Sequence, residues 1–550
     1  MKKFIFLLIF ILLTGGFIFI KQYASPSQQV IGFSDDLYLI VEDQEAEYID
    51  PVIFNEDILY FSLESIEYFV DKNIFYDDIE KILIITSNEN VRRYIVNNNM
   101  ASVNNREFFL TNMIKEIDNK IYIPIDIVLQ NYDVSINYFE ETNAVVLDYN
   151  NIYYLNGEVI LDKAVIRTNL DIKSPIIGNN MPIGTIVNVY GEYESWYKIR
   201  TIDGIPGFIE KRFLKLNHIK DIYKVEIPKN EANNSNAKKE KINLTWDYTY
   251  RKIQNTDNIT SIPGVNIISP TWFSVKDNQG SILDKGNLEY VNKYKQLGYE
   301  IWPLIDNDFD PDLTHELLSS SNMRKRLIID IFNIYSEYGF QGINIDFENV
   351  HLKTKDLLTQ FIRELYPIFN ELGMSVSMDV TGMSTSENWS LSYDRKRLSE
   401  TVDYIMLMAY DQHWASSPIA GSVAEYSWVE RSIRGVLDSI PNEKMILSVP
   451  FYTRLWQEKG EKISSQALSM ETANKFIIDN NINLRWDENA AQYYGEMFKD
   501  NIHYKIWVED SKSLESKASL INKYDLAGIA SWRKGFETND IWDSLDKVIN

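Results

Sequence analysis

The chain has 550 residues, a formal net charge of -24, five histidines and no cysteine. That length exceeds what one hydrophobic core organises, so about three domains are expected. The acid excess argues against nucleic acid or an anionic membrane surface as the main partner. The absence of cysteine excludes thiol catalysis and thiolate-bound metal, and the histidines have no metal-ligand spacing, so neither metal nor cofactor is expected.

Met1-Lys2-Lys3 precedes an apolar run from Phe4 to Ile20, closed by Lys21. This is the pattern of an export signal over residues 1–25, either an uncleaved anchor with its lysines inside or a cleaved signal peptide. The bulk of the chain is therefore expected outside the cytoplasm.

Residues 36–150 carry an internal repeat. Leu59-Tyr60-Phe61-Ser62-Leu63 followed by Ile82-Leu83-Ile84-Ile85 recurs as Ile121-Tyr122-Ile123-Pro124-Ile125 followed by Ala144-Val145-Val146-Leu147, at an offset of about 62 residues. Each copy reads as a strand, a short helix and a strand pair. The unit resembles the α+β module at the N-terminus of copper amine oxidases. Residues 159–218 change to short strands separated by Gly, Asn and Asp-Gly turns, among them Val165–Arg167, Gly184–Val189, Trp196–Ile199 and Gly207–Ile209. This series resembles a bacterial SH3-like β-barrel, which implies a cell-wall peptide as a partner, although a spacer barrel without ligand fits the residues equally. Residues 227–241 are rich in Asn, Lys, Glu and Ala without apolar periodicity and read as a linker.

From residue 242 to 550 strand and helix patterns alternate. Strands are predicted at Asn243–Trp246, Val265–Ser269, Glu300–Ile305, Gly342–Phe347, Ser375–Val380, Tyr404–Ala409, Met445–Pro450 and Ala527–Ser531, with amphipathic helices such as Met323–Tyr338 and Lys355–Leu372 between them. Eight such pairs predict a (β/α)8 TIM barrel, and the excess length between Trp456 and Lys505 predicts a small α+β insertion before the last strand. In a barrel, function gathers at the C-terminal strand ends. Those ends read Trp246-Asp247-Tyr248, Thr271-Trp272-Phe273, Asp306-Asn307-Asp308, Asp346-Phe347-Glu348, Asp379, Tyr410-Asp411, Tyr452-Thr453-Arg454 and Trp532. Aromatic rings beside polar groups suit a carbohydrate cleft.

The most informative segment is Gly342-Ile343-Asn344-Ile345-Asp346-Phe347-Glu348. Strand alternation sends Ile343, Ile345 and Phe347 to one face and Asn344, Asp346 and Glu348 to the other. An amide and two carboxylates in a row are costly to bury, and paired acids at a strand end are what glycoside hydrolysis requires. An isolated Asp-x-Glu at a solvated strand end is the bland alternative.

The segment resembles the strand-four signature of family 18 glycoside hydrolases, Asp-Gly-x-Asp-x-Asp-x-Glu. Gln341 stands in place of the first Asp and Asn344 in place of the second. The Asn variant is similar to the branch containing spore-cortex peptidoglycan N-acetylglucosaminidases. Met408-Ala409-Tyr410-Asp411 and Pro450-Phe451-Tyr452-Thr453-Arg454 resemble the strand-six and strand-seven motifs, and Trp532 falls at the family's tryptophan floor. The resemblance implies a retaining, substrate-assisted glycosidase. Glu348 would be the acid, Asp346 would stabilise an oxazolinium, and Tyr410 would orient the acetamido group; Asn344, Asp411, Trp532, Trp272, Tyr452 and Arg454 would bind substrate. It implies a glycan polymer as partner, wall peptidoglycan before chitin, on the extracellular or cell-wall face of a bacterial membrane. A chitinase, or an inactive lectin-like wall protein, stays open as an alternative. Asn344 would remove one charge from the acid stack, lessen its coupling and shift the acidic limb of the pH profile.

Overall fold

The computed structural model describes residues 14, 25–152, 154–217, 241–251 and 256–549. Nearly all of the export segment and of the predicted linker lie outside the described residues. Among those described, no helix is long and apolar enough to cross a membrane. The chain divides into two compact units: residues 1–74, 94–101 and 107–234, and residues 75–93, 102–106 and 235–550.

The first unit is β-rich. Ile58–Ser62 pairs antiparallel with Lys120–Pro124, the two equivalent strands of the internal repeat. Each runs directly into a short helix, Leu63–Phe69 and Ile125–Asn131. The strand pair that ends the second copy, Val134–Phe139 and Ala144–Tyr149, is an antiparallel hairpin. A separate eight-stranded sheet holds the seven strands from Leu155–Val159 to Leu214–Leu216 together with Val30–Ile31. Its core is Val159, Ala164, Ile166, Val187, Ile199 and Ile209.

The second unit is built on a closed parallel barrel. Its strands are β1 (Ile242–Asp247), β2 (Ile267–Val275), β3 (Leu304–Asp306), β4 (Gly342–Asp346), β5 (Ser375–Thr381), β6 (Tyr404–Met408), β7 (Met445–Pro450) and β8 (Gly528–Trp532). Each pairs with the next, and β1 pairs with both β2 and β8, which closes the ring. All eight predicted strands are present. Apolar side chains fill two layers. Leu244, Trp246, Leu304, Met406, Ile446 and Ala530 lie within one cluster. Ile343, Ile345, Phe347, Phe361, Leu365 and Phe369 belong to the larger cluster that joins strands to helices.

Some helix ends carry explicit caps. The Ser320 hydroxyl accepts from Met323 N at 3.1 Å to open Ser321–Tyr338, and Gly339 at φ 64° closes it, a conformation that strains any residue with a Cβ. Asp510 and Ser513 form a capping box on Ser511–Tyr524. The insertion after β7 is a five-stranded antiparallel sheet, Tyr452–Lys459 to Ile502–Val508, with the helix Met470–Asp479. Residues 75–93 also belong to this unit, where the Asp77 carboxylate accepts from Ser321 N and Oγ at 3.1 and 2.7 Å.

Candidate active site

The alternation read in β4 is realised. Ile343, Ile345 and Phe347 are 0–2% exposed against the helices, and Phe347 stacks on Phe361 with ring centroids 5.7 Å apart. Asn344 and Asp346 point inward. Register then brings carboxylates together from neighbouring strands: Asp306 of β3 is paired with Asp346, and Asp379 of β5 lies one step beyond the registered pair Ile345–Met378. Parallel strands lie about 4.8 Å apart, so same-face side chains at one level are neighbours.

Asn344 corrects an expectation. It is fully buried, so it is a strut beneath the site and does not meet substrate. Its Oδ1 accepts from Trp246 Nε1 at 2.8 Å, and its Nδ2 donates to Asp379 Oδ1 at 2.7 Å. Gln341, partly exposed and farther from the mouth, serves the backbone, accepting from Ile301 N and donating to Gly339 O. Trp272 is a second correction. It is 0% exposed and packs on Tyr290, ring centroids 5.1 Å apart, in the cluster between strands and helices. β2 was predicted to end at Ser269; it continues to Val275 with a register shift between Thr271 and Phe273, which leaves Trp272 in mid-strand.

The backbone of Glu348 is bracketed by buried Asn307, whose Nδ2 donates to Glu348 O at 2.8 Å and whose Oδ1 accepts from Glu348 N at 3.0 Å. Burial pushes the Glu348 carboxyl well above the usual carboxylate range, and the charges of Asp346, Asp411 and Asp306 push it further. Burial and Asp306 push Asp346 up to about 7, while a hydrogen bond with Asp379 pulls it back. Asp379 is driven far above its ordinary value by burial and then by Asp346. Among the described residues, the charges acting on these three acids are all carboxylates. Burial and mutual repulsion therefore favour the neutral form of these acids.

Tyr410 follows β6 and faces the same acids. Burial, then Asp379, Glu348 and Asp346, keep its phenol neutral. Asp411, at φ 56°, is held by Tyr452 OH at 2.7 Å and Arg454 Nη2 at 2.9 Å on the same Oδ1. Tyr452 and Arg454 are 5% and 9% exposed, whereas the Asp411 side chain is 42% exposed. The predicted binding residues Tyr452 and Arg454 thus stand behind Asp411 and aim it. Trp532 ends β8 beside Trp246 and Tyr248, with ring centroids 5.8 and 6.3 Å away.

Four contributors escaped the sequence reading. Asp379, Asp306 and Asn307 were seen at strand ends but not assigned to the site. The fourth is an exposed aromatic pair, Phe309 and Trp389, 49% and 42% exposed with ring centroids 6.4 Å apart. Asn349, the residue after Glu348, donates to Phe309 O and accepts from Asn388 Nδ2, which sets the pair next to the acid.

The sequence profile of the copper amine oxidase N-terminal domain matches residues 40–147. An uncharacterized glycosylase of Bacillus subtilis is 24% identical over 294 residues, spanning 52% of this chain and 84% of that protein. A cortical fragment-lytic enzyme of Bacillus subtilis is 25% identical over 253 residues, but the match covers only 58% of its length. A putative sporulation-specific glycosylase from the same organism is 28% identical, with 55% of its length covered. In fold, the barrel is similar to the Bacillus cereus spore cortex-lytic enzyme SleL (TM-score 0.51, 19% identity, 56% of this chain and 75% of that one). It is also similar to a Chromobacterium violaceum chitinase (TM-score 0.50, 18% identity, 56% and 98%). The profile of glycosyl hydrolases family 18 matches residues 248–536, more than half of the chain and all of the mouth described above except Trp246 and Asp247. The chain belongs to glycosyl hydrolase family 18.

Proposed function

We propose that the protein hydrolyses a glycan containing N-acetylglucosamine, with wall peptidoglycan as its substrate, and retains anomeric configuration through the substrate's own acetamido group. One observation carries this reading: Glu348 sits at the barrel mouth, braced through its backbone by Asn307, where burial and the carboxyls of Asp346, Asp411 and Asp306 favour its protonated form. A general acid for neutral conditions needs such a raised pKa.

In the proposed reaction Glu348 gives its proton to the glycosidic oxygen as the C–O bond breaks, and the 2-acetamido oxygen closes on the anomeric carbon. Asp346 sets its negative charge against the resulting oxazolinium. Tyr410 and Asp411 orient the acetamido group, and Trp532 lies under the sugar. Water then opens the oxazolinium and its proton returns to Glu348. The scheme needs no separate enzyme nucleophile.

The choice of peptidoglycan over chitin is supported by the Asn-bearing motif and by relatives named for lysis of cortical fragments. Export through residues 1–25, anchored or cleaved, and a wall-peptide contact by residues 159–218 complete the proposal of a protein on the outer face of a bacterial membrane. The test is release of new reducing ends from purified peptidoglycan and from chitin, with Glu348→Gln as control. Release from peptidoglycan alone, lost in the variant, is the expected result. Release from chitin alone makes it a chitinase. Binding without release, unchanged by Glu348→Gln, makes it a lectin.

A further inference from the structure

The carboxylate missing from position 344 has a counterpart one strand away. Asp379 is 1% exposed and lies beside Asp346, itself 8% exposed, at the same level of adjacent parallel strands. Asn344 Nδ2 occupies one Asp379 oxygen at 2.7 Å, which leaves the other for Asp346. Among the described residues no N–H or hydroxyl reaches Asp346 Oδ1. Two ionised carboxylates cannot rest side by side in such a place, and a single proton between them removes the conflict. We infer that Asp379 is a positioning residue that shares one proton with Asp346, and that Asn344 fixes which of its oxygens carries that proton.

This rests on the reading above and deepens it. The O–H of Asp379 donates to Asp346, so the pair carries one negative charge, placed on the residue nearer the substrate. No proton leaves the pair during the reaction; the proton that reaches the leaving oxygen is that of Glu348. Asn is suited to position 344 because its Oδ1 is already committed to Trp246, so only Nδ2 can turn to Asp379. The groups facing Asp379 from the packed elements are Asn344, Asp346 and Glu348 of β4 and its end, Tyr393 after β5 and Tyr410 after β6, with Asp306 of β3 beyond Asp346. None is a cation.

The amide of Asp379→Asn accepts from Asn344 and donates to Asp346, as the protonated acid does, whereas Asp379→Ala does neither. The expected result is kcat for Asp379→Asn within about threefold of wild type at unchanged KM, and for Asp379→Ala a fall of about a hundredfold. A readout independent of turnover is the pH dependence of thermal unfolding. An acid whose folded pKa is raised binds its proton more tightly when folded, so stability falls as pH rises from the ordinary carboxylate range to the folded pKa. Asp379→Asn is expected to flatten that fall. The inference is overturned if Asp379→Asn is as inactive as Asp379→Ala, or if its stability declines with pH as steeply as that of wild type. If no glycan is turned over by the wild type, the proposed function fails, and the unfolding series still decides whether the proton is shared.

Discussion

The second unit buries carboxylates in two ways. Glu364, on the helix Lys355–Asn370, is fully buried and meets Arg324 Nε at 2.9 Å, the Arg93 guanidinium and Gln360 Nε2 at 3.0 Å. Glu509 is likewise paired with Lys517 Nζ at 2.8 Å and receives Gln492 and Ser513. At the barrel mouth Asp346 and Asp379 are buried and Glu348 is partly buried, and among the described residues the charges acting on them are all carboxylates, so the neutral forms are favoured. The difference separates scaffold from chemistry. A guanidinium neutralises an acid permanently and pins an element, while a proton neutralises it in a form that can be handed to a substrate.

The sharpest way to break this comparison is to remove one acid of each kind. Glu364→Ala leaves the Arg93 and Arg324 guanidinium groups unpaired and should lower unfolding stability by about 3–5 kcal/mol in chemical denaturation. Glu348→Gln should lower turnover by about 10²–10⁴-fold and leave stability equal or higher, because it deletes no cation partner. Equal stability losses would erase the distinction. Asn344→Asp tests the boundary between the two sites. It replaces the N–H that faces Asp379 with another carboxylate oxygen and should destabilise by about 1–3 kcal/mol. That loss should grow as pH rises, because the added acid must keep a proton to be tolerated. Unfolding curves superimposed on wild type above neutral pH would contradict it. The smallest effect concerns the rim: Trp389→Ala should raise KM about three- to tenfold with kcat held, since it removes only the tilted contact with Phe309 and the proposed sugar face.

Much of this was legible in the chain itself. The alternation from Ile343 to Glu348 predicts which side chains face inward, and all eight barrel strands follow from apolar runs alternating with helical periodicity. The misplaced residues share one cause, depth along the barrel axis. Asn344 sits two residues below Asp346, which is the distance between a substrate-facing group and one sealed beneath Trp246. Trp272 was placed at the mouth because β2 was read as ending six residues early. Asp379 could be seen as a polar residue in an apolar strand, but its partners Asn344 and Asp346 come from another strand, and only the register between β4 and β5 brings the three together. The same register adds a carboxyl, Asp379, beside the position that Asn344 leaves uncharged.

Infrared difference spectroscopy of the carboxyl stretch at neutral pH tests most directly whether the mouth acids hold protons while the scaffold acids hold cations. Wild-type protein should show a protonated carboxyl absorption that is diminished in Glu348→Gln and in Asp379→Asn and untouched in Glu364→Gln. A wild-type spectrum with no protonated carboxyl at neutral pH would contradict the account.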